Sequence, residues 1–178
     1  GEPLEGKMAG TKEWINTTAA HFMSDGKPLP GVVFMHIPSL SYIRASRNSS
    51  GNSKPLPKNC VGSVNHDSVS TPRTPESPES GGPAGKEHQE AVDSLVKYGA
   101  RAFFVGHDHG NDWCCPLEIA RKEIWHCYGR HSGYGGYDTE NTKVKGARMV
   151  QLEQQRNQLT VRTWVRLENG SKIDELLI

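Results

Sequence analysis

The sequence predicts an α/β fold built on a mixed sheet, and three features carry that reading. A helix-period segment followed by a short apolar run occurs twice. Each apolar run opens into a loop that carries histidine. The C-terminal third then reads as successive strands with no helix between them. With 178 residues, the chain is long enough for one domain with a real core.

Residues 11–23, TKEWINTTAAHFM, place Trp14, Ile15, Thr18, Ala19 and Phe22 on one helical face. Thr11 is the expected cap, and Asp25-Gly26 the stop signal. GVVFMHIP follows, a run of five apolar residues ending at His36, with Pro38 barring continuation. It is expected to be a buried strand that ends in a loop. Residues 41–85 are dense in Ser, Pro, Gly and Asn. Such a composition buries too little apolar surface to order itself, so a disordered insert is expected there, between domain segments 1–40 and 86–178. Its Ser-Pro and Thr-Pro steps read as a solvated linker or as phosphate acceptors.

KEHQEAVDSLVKYGA restores helical periodicity through Ala91, Val92, Leu95 and Val96, and Gly99 ends it. The strand AFFV then opens into Gly106-His107-Asp108-His109-Gly110. EIWHCYG, ARMVQLE and QLTVRTWVRLE are strand-like, and the last points Leu159, Val161, Thr163 and Val165 to one face. Asn169-Gly170 makes a turn before a short final segment.

The formal net charge of +1 excludes the strong field expected of a nucleic-acid or anionic-membrane binder. No apolar run approaches a membrane span, and GEPLEGKMAG lacks the basic-then-apolar pattern of a signal peptide. Four cysteines are too few for a disulfide scaffold. Cys115 with Cys127 bridging neighbouring strands, or buried free thiols, are the two readings.

In an extended chain the imidazoles of His107 and His109 point to the same side, and Asp108 points to the other. Two rings at a strand's mouth can reach adjacent metal ions. Asp108 then suits a supporting role, orienting the loop or a ligand ring. His36, ending a separate strand, can converge on the same place. His21 and His88, standing alone, read as ordinary surface or core histidines, and His126 inside EIWHCYG reads as a strand residue.

GVVFMHIP, AFFVGHDHGNDWC, CYGRHSGYGGYD, KGARMVQLE and VRTWVRLENG together resemble the C-terminal half of the calcineurin-like metallophosphoesterases, in particular the purple-acid-phosphatase-like branch. The resemblance covers the chain apart from 41–85. It implies the C-terminal half of a four-layer αββα sandwich with a two-metal site at the sheet's edge. It further implies that His36 and His107 bind one metal and His109 the other. Two ions about 3.5–4 Å apart clamp a phosphate and activate a water. Imidazole suits Zn, Fe, Mn or Ni. The implied substrate is a phosphate ester or a phosphoprotein.

That family's earlier motifs, Asp-x-His, Gly-Asp-x-x-Asp and Gly-Asn-His-Glu/Asp, do not occur before His36. Asn65-His66-Asp67 comes after His36, in the wrong order. The expectation is therefore a phosphomonoesterase whose site is incomplete in this chain. The alternatives are an inactive metal- or partner-binding relative and an unrelated α/β binding domain. In Gly129–Tyr137, His131 either borders the phosphate or belongs to a structural turn. Arg130 and Arg148 are either phosphate contacts or solvated arginines.

Overall fold

The computed structural model describes residues 5–19, 21, 23–47, 55–62, 68–72, 82–156 and 158–178. Helix α1 (Glu5–Ala19) lies on α3 (Pro83–Lys97), with Lys12 Nζ 2.7 Å from Glu90. Ile15 is buried there, but Trp14 is 64% exposed, so the two do not share the packed face. Thr11 lies inside the helix and not at its start, and Phe22 lies outside the described residues. Asp25-Gly26 does more than stop the helix. Both residues have positive φ and turn a small hairpin between β1 (Met23–Ser24) and β2 (Lys27–Pro28).

The main sheet joins β3 (Gly31–Phe34), β4 (Ala100–Val105), β6 (Lys122–Tyr128) and β5 (Cys114–Ile119) in that order. β3, β4 and β6 are parallel, and β5 runs antiparallel to β6, giving the mixed sheet. From Ala102 to Val105, β4 alternates. Phe103 and Val105 face the helical layer with Val92, Val96 and Tyr42. Ala102 and Phe104 face the other way, onto Leu159 and Val161.

That second face is covered by an antiparallel meander of β7 (Gly146–Gln155), β8 (Gln158–Leu167) and β9 (Lys172–Leu177). Leu159, Val161, Thr163 and Val165 of β8 are all buried, as the alternation requires. The layers are therefore helix, sheet, sheet.

Three expectations are corrected. First, β3 is an edge strand of half-buried residues with Phe34 64% exposed, not a buried strand. Phe34 instead stacks on Phe104 at 5.2 Å. Second, the disulfides are Cys114–Cys127 and Cys60–Cys115, and no cysteine of the chain is free. Register decides this: Cys114 stands opposite Cys127, whereas Cys115 stands opposite His126 and faces the helical layer. Third, the described parts of 41–85 are integral to the domain. Helix α2 (Leu40–Ala45) buries Tyr42 fully, and Tyr42 Oη donates to Phe103 O at 2.9 Å. Val61 pairs with Cys114, and Thr71, in one of the Thr-Pro steps, is 3% exposed and inaccessible to phosphorylation in the fold. Asn65-His66-Asp67 lies outside the described residues.

Candidate functional site

β3 and β4 are parallel neighbours, so their C-terminal ends emerge together. The backbone continues the pairing past the strands: Met35 N donates to Phe104 O and Gly106 N to His36 O, both at 3.0 Å. This holds His36 beside Gly106-His107. His36 Nε2 and His107 Nδ1 lie 3.4 Å apart, with the rings edge to face. Both residues are exposed. Gly106 lies close under His36: a Cβ at that position would stand 3.4 Å from His36 Nδ1, in van der Waals contact with the ring.

His109 departs from the expected arrangement. The chain is not extended at His107, whose φ is +73°, and Asp108 N donates to Gly106 O at 2.9 Å. That is a γ-turn, a strained conformation for a non-glycine residue. Past it, His109 belongs to a different cluster. Its ring stacks on Tyr137 at 4.5 Å and 4°, and lies 4.5 Å from His131. Its N–H donates to Tyr137 Oη at 3.0 Å, and its buried Nδ1 has no hydrogen-bond partner among the described residues. His131 Nε2 contacts Gly135 O at 3.0 Å, and its Nδ1 lies 3.2 Å from Asp138 Oδ1. Lys145 Nζ donates to the same Asp138 and holds its carboxyl below the usual range. Among the described residues, no three His, Cys, Asp or Glu side chains converge as a group that could hold a metal.

Asp108 orients the loop, not a ligand ring. Its Oδ2 accepts from Tyr128 Oη at 2.6 Å and from Ser70 N at 3.1 Å. Burial and the facing Asp108 push the Tyr128 phenol far above its ordinary range, so it stays a donor.

Arg130 and Arg148 are not solvated surface arginines, because both guanidinium groups are engaged within the fold. Arg130 pairs with fully buried Asp112 and donates to Val144 O at 2.7 Å. Arg148 donates to Tyr128 O at 2.6 Å and to Asp112 O. Together they pin the 129–145 loop and β7 to the sheet's end. His126 is the strand residue expected: Nδ1 lies 3.0 Å from Ile124 O and Nε2 2.8 Å from Ser41 Oγ. Tyr137, like His131, is expected either to border the phosphate or to pack in a structural turn; here it packs, its ring flat on His109.

No family model matches the chain, and no solved structure matches it. Two curated proteins do. Over 96 residues, 49% of this chain and 23% of the relative, it is 36% identical to "Probable inactive purple acid phosphatase 28" of Arabidopsis thaliana. Over 173 residues, 93% of this chain and 26% of the relative, it is 25% identical to "Phosphatase DCR2" of Saccharomyces cerevisiae. The chain thus spans about a quarter of the length of these relatives, and it is related to proteins named as phosphatases.

Proposed function

We propose that this chain is part of a metal-dependent phosphoesterase of the calcineurin-like, purple-acid-phosphatase-like type, hydrolysing phosphate monoesters. The observation that carries the reading is the 3.4 Å approach of His36 Nε2 to His107 Nδ1. Two nitrogens each about 2.0–2.1 Å from one tetrahedral zinc stand roughly 3.3–3.4 Å apart. The pair therefore fits two positions on a single ion with little ring movement. The similarity to phosphatases and the strained His107 backbone support the same reading.

In this reading His36 and His107 hold one ion and His109 belongs to a second position. When bound, such ions activate water and neutralise phosphate charge. The chain's own contribution is positioning. Asp108, fixed by Tyr128 and Ser70, sets the γ-turn that presents His107. His131 stands beside His109, where it can border a phosphate or orient a leaving group.

A second reading, an inactive metal-binding relative, is favoured by one observation: the described residues bring no carboxylate into a three-ligand group with the histidines. One experiment tests the metal assignment that both readings share, and asks whether this chain alone turns over. The full chain is loaded with Zn, Mn or Fe, assayed for bound metal by elemental analysis, and then offered p-nitrophenyl phosphate. The expected result is metal bound through His36 and His107, with turnover far below the 1–1000 per second of ordinary enzymes. Absence of bound metal overturns the assignment. Turnover within that range shows that further carboxylates of this chain complete the site.

A further inference from the structure

We propose that Asn169 is an acceptor for an N-linked glycan. Asn169-Gly170-Ser171 has the Asn-x-Ser pattern with a residue other than proline in the middle. It forms the loop of the β8–β9 hairpin, and all three residues are exposed. Asn169 Oδ1 accepts from Ser171 N at 2.9 Å, an Asx-turn, and Gly170 has φ +90°. This folds the tripeptide so that the amide and the Ser171 hydroxyl lie on one open turn.

A second, independent observation places the chain where such a transfer occurs. All four cysteines are paired, and both bridges join segments that the sheet already holds together. Disulfides of this kind form and persist in oxidising, secretory surroundings. The transfer donor in those surroundings is a polyprenyl-diphosphate-linked oligosaccharide. The Asn169 Nδ2 forms the bond to the sugar's anomeric carbon. The bond from that carbon to the diphosphate oxygen breaks, the diphosphate leaves with its electron pair, and Nδ2 gives up one proton.

Two other Asn-x-Ser/Thr patterns differ in setting. Asn16-Thr17-Thr18 lies within α1, where the backbone is held helical and not in an open turn. Asn48-Ser49-Ser50 lies outside the described residues. The fold also tolerates a bulky group at Asn169. The turn is closed by backbone bonds, Leu167 N to Ser171 O and Gly170 N to Leu167 O, both at 2.9 Å.

The test is translation of the full chain, behind a cleavable secretory leader, in the presence of microsomes. Glycans are then released with peptide N-glycosidase and the sites mapped by mass spectrometry. Asn169 should be converted to Asp on release, and Ser171→Ala should lose one enzyme-sensitive gel shift. Ser171→Ala keeps the Asx-turn, because the donor is the backbone N–H, so its loss cannot be blamed on misfolding. Ser171→Thr should restore the shift. Microsomal material with Asn169 unmodified overturns the proposal, whether or not Asn16 or Asn48 carries a glycan.

Discussion

His36–His107 and His109–His131 are two histidine pairs joined by one short loop, and they are built in opposite ways. The first is set by main chain. Parallel strands deliver both residues, and a backbone bond from Gly106 to His36 fixes their spacing. Their rings are exposed and their nitrogens face each other. The second is set by side chains: Tyr137 lies flat on His109, and Asp138 flanks His131. A pair held by the sheet is ready to share a ligand. A pair held in a stack must first be released from it.

The largest expected effect follows directly. His36→Ala or His107→Ala should weaken zinc binding by more than about 100-fold, beyond what loss of a mere supporting group costs. His109→Ala should change that binding only slightly. Isothermal titration with zinc measures this, and equal losses in all three variants would erase the distinction between the pairs.

A third histidine sharpens the contrast. His126 is fully buried, and burial lowers its pKa to about 4 from an ordinary 6.5. Its folded form holds a proton less readily than the unfolded chain, so its contribution is complete above pH 6.5 and is lost as pH falls towards 4. Between pH 7 and pH 4.5 the loss should be about 2–3 kcal/mol. Urea unfolding at the two pH values reads it, and His126→Gln should flatten that part of the profile.

The smallest effect belongs to Tyr137. Tyr137→Phe keeps the ring stack but removes the oxygen that accepts from His109 N. It should cost about 1 kcal/mol of stability by urea denaturation and leave zinc binding at His36–His107 unchanged. A matching loss of zinc affinity would join the two pairs into one unit.

Much of this architecture was legible in the sequence. Alternation along QLTVRTWVRLE identified the buried face of β8 residue by residue, because a strand covered on one side admits no other pattern. Helix α3 and the strand ends at His36 and His107 were legible for the same kind of reason. What escaped was decided by contacts far apart in sequence. The left-handed His107 backbone comes with a loop clamped by Asp108 to Tyr128 and Ser70, so the rule of alternate residues on one side broke between His107 and His109. The choice of Cys114 over Cys115 as the partner of Cys127 depended on a register that spacing does not reveal. The burial of Arg130 depended on Asp112, whose own position follows from the loop before β5.

The adjacent cysteines of β5 have a mechanical consequence. Cys60 is bonded to Cys115, the next residue back is Cys114, and Cys114 is bonded to Cys127. A tensile load applied between the two termini therefore crosses from residue 60 to residue 127 through two sulfur bridges and a single peptide unit. Helix α3, strand β4 and the loop from Gly106 to Gly110 lie on the slack side of this shortcut. Stretching the oxidised chain would draw out only the segments before Cys60 and after Cys127, and the main-chain tether between His36 and Gly106 would lose its N-terminal half while His107 and His109 stayed within an unloaded ring.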